Sequence, residues 1–223
     1  MTAPIKTAAR PDTHDAFIQE NTRLLSPPLV PEIKLHLAEE SVPIWLKTEE
    51  ELGEINVPPP YWAFAWAGGQ ALARYLLDNP ECCRGLDVID LGSGSGMTAI
   101  AAAKTGASTV LAADIDAFAL AACRINAAAN AVQFATTSSD LLAARPVPVA
   151  VLLVGDLFYE KTLADRVLAY IDAAKANGAA VYIGDPQRNY FPRDRFTLLA
   201  SYQVPVTREL EDSEIKKTAV WRA

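Results

Sequence analysis

Between Leu86 and Asp185 the chain sets short apolar runs (LDVIDL, STVLAAD, VQFATT, VPVAVLLVG and GAAVYIGD) among stretches whose apolar residues recur at helical spacing. The runs suit strands buried on both faces, and the spaced stretches suit helices. The pattern predicts helices over about residues 67–79, where Ala71, Leu72, Tyr75 and Leu76 share a face, from Gly96 to about Thr105, from Asp116 to about Ala129, and over about 160–176. A short helix from about Arg193 and two closing strands, in YQVPVTREL and EIKKTAVWRA, complete the series. Strands separated by helices need right-handed crossovers, so the expected class is α/β, with a seven-stranded, mostly parallel sheet covered by helices on both faces. Ahead of it, THDAFIQENTRLL predicts a helix from Thr13 to about Leu25, and the alternation of Ile33, Leu35 and Leu37 among prolines predicts a short extended segment. Residues 1–60 thus read as an N-terminal helical and extended segment, with the first eleven or so a disordered tail, and residues 61–223 as the main domain.

Composition narrows the partners. The 223 residues carry a formal charge of −7 without a long basic run, which argues against nucleic acid. Apolar runs are too short for a membrane-spanning helix, and the first residues lack the hydrophobic segment of a secretory signal. Three cysteines, two of them adjacent at Cys82 and Cys83, form neither a disulfide framework nor a zinc pattern, so structural thiols in a reducing, cytoplasmic setting are expected and no metal site is.

Chemistry concentrates in VIDLGSGSGMTAI, where a buried strand ending at Leu91 runs through Gly92, Ser93, Gly94, Ser95 and Gly96 into a helix. Glycines permit a sharp turn and close backbone approach, and free amides at a helix start face an anionic group. The next strand ends in Asp114, where nucleoside-binding sheets hold a ribose hydroxyl pair, whereas Asp116 suits a helix cap. The third strand leads to Asp140, at the place where an adenine would lie or where an ordinary polar loop would stand. The spacing is G-x-G-x-G, with Met97 where a dinucleotide fingerprint would have its third glycine, so NAD is the second choice behind a single nucleoside.

DLGSGSG resembles the first motif of the class I, seven-stranded S-adenosylmethionine-dependent methyltransferases, which implies a Rossmann-like fold, that cofactor, and a position for Asp90 near its amino group. PPPYWAFAWAGGQALARYLLD, VIDLGSGSGMTAIAAA, LAADIDAFAL, GDLFYEK and YIGDPQRNYFPRD, together with LVPEIKLHLA, resemble more narrowly the lysine methyltransferases of the electron-transfer flavoprotein β subunit. The resemblance covers nearly the whole chain. It implies methylation of lysines beside the flavoprotein's dehydrogenase-recognition loop, which dampens electron transfer.

Related lysine methyltransferases carry a Trp ahead of the first helix, matched by Trp66, and an acid, two residues and an aromatic after the fourth strand, matched by Asp156 to Tyr159 in DLFY. The cofactor residues expected from loop and likeness are therefore Trp66, Asp90, Gly92, Gly94, Gly96, Asp114 and Asp140, and the catalytic pair is Asp156 and Tyr159. An extended segment would point Trp62, Phe64 and Trp66 to one side, as a cofactor wall or as a core cluster. Asp156 would attract the ammonium and hydrogen-bond the amine, with Tyr159, and with it Phe158, walling a channel. The loop with Asp185, Arg188 and Tyr190 reads either as a substrate entrance or as a proline-bounded turn with an arginine ion pair. Glu160 is expected to open the following helix. Two other functions stay open: methylation of a ribosomal-protein lysine or of a small amine such as nicotinamide, and non-catalytic nucleoside binding.

Overall fold

The computed structural model describes residues 13–39, 43–44, 46, 59–206 and 215–223, and the tail expected over the first eleven residues lies outside them. A seven-stranded sheet runs in the order β5-β4-β3-β6-β7-β9-β8, with β3 Asp87–Leu91, β4 Thr109–Ala113, β5 Ala135–Thr137, β6 Val151–Gly155, β7 Ala180–Asp185, β8 Thr197–Pro205 and β9 Ile215–Arg222. Pairing is parallel from β5 to β7, and β9 runs antiparallel to both β7 and β8. The predicted mostly parallel α/β class is the fold observed. Chain order reverses at β3, which pairs with β4 on one side and β6 on the other. Such a switch point is where open α/β sheets bind ligands, outside the carboxyl ends of the strands.

Helices α2 Ala67–Asp78, α3 Met97–Lys104, α4 Ala117–Ala129 and α5 Lys161–Ala176 lie close to their predicted ranges. Asp116 caps α4 by accepting from Phe118 N–H at 2.9 Å, and Glu160 caps α5 by accepting from Thr162 and Leu163 N–H. One sheet face packs on α2 and α3, with Leu72, Leu76, Ile100, Val110 and Leu153 wholly or nearly buried; the other packs on α5 through Val167 and Ile171 against Leu152 and Ile183. Each such side chain contributes on the order of 1.5–3 kcal/mol.

The N-terminal reading needs one correction. Helix α1, Thr13–Asn21, ends short of Leu25, because Thr22 Oγ1 bonds back to Ile18 O and Arg23–Leu25 pairs antiparallel with Leu35–Leu37, making β1 and β2 of a hairpin. Leu24 and Leu25, expected on a helix face, are exposed on β1. Ile33, Leu35 and Leu37 point into the core shared with α2 and α3, so the alternation was read correctly. Two buried side chains, Asn126 on α4 and Asn130 at its C-terminal cap, tie the hairpin down. Asn126 accepts from His36 N–H at 2.7 Å and donates to Ser95 O at 2.9 Å; Asn130 accepts from Lys34 N–H at 3.0 Å and donates to Lys34 O.

Candidate active site

Along the carboxyl edge of the sheet, the segments after β5, β4, β3 and β6 and the last residue of β7 bring Asp140, Asp114, the glycine loop, Asp156 and Asp185 into spatial order. Gly92, Gly94 and Gly96 all take positive φ, at 65°, 49° and 78°. At Gly96 a Cβ would also press on Cys123 Sγ at 3.0 Å, so the turn into α3 admits no side chain there. In front of Gly94 the space is open, the nearest atom to a built Cβ being Trp62 Cα at 4.0 Å. Asp114 accepts from Gly94 N–H at 2.9 Å and from Asp116 N–H at 3.0 Å, locking the loop to the end of β4. Burial raises its pKa against the pull of those amides.

Asp90 stands behind the loop. Its carboxylate accepts from Ala99 N–H at 3.0 Å and from the Thr98 hydroxyl, and burial pushes its pKa up to about 7. Asp140 caps the short helical turn Leu141–Ala143 and pairs with Arg166 at 2.6 Å. Cys83 and Cys123 are buried thiols pushed up to about 12, inert packing groups rather than nucleophiles. Among the described residues no cluster of His, Cys, Asp or Glu could hold a metal.

The second half of the site forms around Asp156, which adopts φ 58°, a region that non-glycine residues enter at a cost. Its own N–H is held by Gly184 O at 3.0 Å. Asp156 Oδ2 accepts from Gly69 N–H in the first turn of α2 at 2.9 Å. Oδ1 accepts from Arg188 twice, from Nε at 3.1 Å and from Nη2 at 2.8 Å. Arg188 is anchored in turn at its backbone, whose N–H donates to Asp185 Oδ1 at 2.7 Å, and its guanidinium lies over the Trp66 ring at 5.5 Å. Asp185 is wholly buried, and its Oδ2 meets no donor among the described residues. Burial first, and the neighbouring Asp156 next, push its pKa up to about 7.

The outer wall is aromatic. Tyr61 contacts Trp66 at 5.9 Å and Tyr159 at 5.4 Å between ring centroids, and Trp66 Nε1–H donates to Tyr61 O at 2.9 Å. Tyr159 is 42% exposed, and desolvation pushes its phenol up to about 12, so it stays neutral. Beyond Trp66, on the hairpin side, a groove of about 550 Å³ runs between Leu25, Pro27, Leu37 and Pro205, away from the glycine loop.

Asp156 and Tyr159 thus share the site with Trp66, while the glycines and Asp114 form the adjoining half. Two expectations change, the common side of the three aromatics and the role of Phe158. Residues 61–63 form a 3-10 turn, Ala63 N–H bonding to Pro60 O, so Trp62, Phe64 and Trp66 do not line up; Trp62 stacks on Phe118 in the core. Trp66 contacts the Asp156 half through Arg188 and Tyr61. Phe158 is fully buried against Phe191 and walls no channel. Sequence reasoning missed the Gly69 amide and Tyr61, both inside PPPYWAFAWAGG, and did not connect Arg188 to Asp156 although it foresaw an arginine ion pair in that loop.

Residues 71–171 match the family model described as ribosomal protein L11 methyltransferase (PrmA). The magnesium protoporphyrin IX methyltransferase of Synechocystis PCC 6803, solved with bound SAM, shares the fold at a TM-score of 0.51 and 15% identity, over 69% of this chain and 77% of that one. The electron transfer flavoprotein beta subunit lysine methyltransferase of Rattus norvegicus is 38% identical over 92% of this chain and 82% of its own length. Its Homo sapiens counterpart is 36% identical over 92% of this chain and 80% of its own. Aligned almost end to end at that identity, and built on the methyltransferase sheet with its glycine loop at the switch point, the chain belongs to the family of electron transfer flavoprotein beta subunit lysine methyltransferases.

Proposed function

We propose that this protein methylates lysine side chains of the electron transfer flavoprotein β subunit, using S-adenosylmethionine. The observation that carries the reading is the Asp156 carboxylate, fixed by the Gly69 amide and Arg188 under an aromatic wall, beside a glycine loop on the same sheet edge. The residues present fit the cofactor: positive-φ glycines with open space before Gly94, and Asp114 at the end of β4. In this reading the glycine loop lets the amino-acid end lie close against its backbone, with Asp90 bracing the first turn of α3 behind it. Asp114 takes the ribose hydroxyls, Asp140 lies on the adenine side, and Trp66 closes the far end. When bound, S-adenosylmethionine supplies a methyl group activated by its sulfonium.

The chain's own work is positional. Asp156 accepts a hydrogen bond from the substrate nitrogen and aims it, and Tyr61 and Tyr159 exclude water. No residue forms a covalent bond, so the acceleration comes from holding two partners in line. Incubating the protein with methyl-labelled S-adenosylmethionine and recombinant β subunit should label lysines of that subunit. In parallel reactions offered a ribosomal protein or nicotinamide instead, label there and none on the β subunit would replace the substrate, and binding of the cofactor with no transfer to any of them would leave a nucleoside-binding protein.

A further inference from the structure

Asp156 does not stand as a bare carboxylate awaiting a cation. Arg188 already pairs with it, and Arg188 is pinned at three points: its tip on Asp156 at 2.8 and 3.1 Å, its backbone N–H on Asp185 at 2.7 Å, its face on Trp66 at 5.5 Å. Gln187, just before it, takes φ 65°, so the turn that presents the arginine is set by the backbone. A side chain anchored at tip, base and face is built to stay when a ligand arrives.

We propose that Arg188 remains on Asp156 while the substrate lysine enters, so that the site accepts the neutral amine rather than the ammonium, making Arg188 a positioning residue that sets the protonation state of the nucleophile. The inference rests on the reading of Asp156 as the amine's partner. A lysine in water, with a pKa of about 10.4, is almost wholly protonated near neutrality, and a protonated nitrogen has no lone pair to transfer. A fixed like charge lowers its proton affinity.

The surrounding charges support this balance. From β6, Asp156 is cancelled by Arg188. From β7, Asp185 is buried, with a pKa pushed up to about 7. From α2, the Gly69 amide adds the positive end of the helix. The wall residues Tyr61 and Tyr159 are phenols, and the charges of Arg188, Asp114 and Glu160 all reach Tyr159, Asp114 while bonded to amides of its own loop and Glu160 while capping α5. Little net negative charge remains to hold an ammonium. On entry the lysine gives one proton to solvent and keeps its lone pair. After transfer the nitrogen is cationic again, and the same guanidinium favours its release.

Two measurements test this on the full chain. In the pH dependence of kcat at saturating β subunit, which reports the lysine as bound, the apparent pKa of the rising limb should move up by at least one unit in Arg188→Gln, with at least a tenfold loss at pH 7 that recovers toward pH 9.5, while Arg188→Lys keeps the wild-type limb. Calorimetry of n-butylamine binding in two buffers of different ionisation heat should find close to one proton released per amine in the wild type and close to none in Arg188→Gln. A parallel, uniformly lowered profile, or equal proton release in both proteins, overturns the role of Arg188 and leaves the lysine reading intact. Absence of methylated β subunit from the wild type overturns the lysine reading, and this inference with it.

Discussion

At the scale of single residues, Asp156 combines a backbone cost with a charge. Asn tolerates the left-handed region as Asp does, so Asp156→Asn keeps the turn and removes the charge. Turnover on the β subunit should fall by about a hundredfold or more, in the range of a lost positioned hydrogen bond in a catalytic site, while the dissociation constant for S-adenosylmethionine, measured by calorimetry, changes less than about twofold. A matched loss of cofactor affinity would move Asp156 to the cofactor half. Asp114→Ala should do the reverse, weakening the cofactor by about tenfold or more through loss of a charge-assisted contact and of the bond to Gly94. Residues of this kind were legible in the sequence because each ends a recognisable strand. Arg188 and Asp156 lie on consecutive strand ends, yet no spacing rule says that a side chain in one loop will reach back across the neighbouring strand. Trp62 and Trp66 show the same limit: a 3-10 turn after three prolines sent one to the core and the other to the site.

Among elements, the joint between α2 and the ends of β6 and β7 carries the site. Backbone meets backbone there: a Cβ on Gly184 would lie 2.1 Å from Gly68 O, and one on Gly68 would lie 2.5 Å from Asp156 Oδ2. That closeness is what lets the Gly69 amide reach Asp156. Gly184→Ala should therefore lower the unfolding free energy by about 3 kcal/mol or more, the upper range for overpacking, in urea denaturation. A loss under about 1 kcal/mol would mean that the joint yields. The helices and parallel strands were readable from periodicity because both faces of the sheet are covered. The end of α1 was not, since Leu24 and Leu25 continue an apolar pattern and only the distant pairing with Leu35–Leu37 claims them for a strand.

For the whole molecule, two buried carboxyls shape the response to pH. Asp90 and Asp185 both have folded pKa values pushed up to about 7, above their ordinary range near 4. The folded chain holds those protons more tightly than the unfolded one, so their contribution to stability is whole below about pH 4 and is lost as pH rises toward 7. The Asp185→Asn variant should show a flatter fall in urea midpoint from pH 5 to 8 than the wild type, and an unchanged slope would refute the burial effect. The net charge of −7 favours a partner presenting basic side chains, and among the described residues no helix is long and apolar enough to cross a membrane.

The hairpin of β1 and β2 is sewn on by the amides of Asn126 and Asn130, and one of those stitches ends on Ser95 in the glycine loop. A shortened chain starting near residue 60, at the boundary the sequence suggests, would strip the Oδ1 atoms of Asn126 and Asn130 of the His36 and Lys34 amides that donate to them, at a cost of about 1–3 kcal/mol each. It would also expose the Ile33, Leu35 and Leu37 seat on the core. The hairpin therefore acts as a strap buckled to the glycine loop, and anyone trimming this protein for crystals or fusions should keep every residue from Thr13 onward.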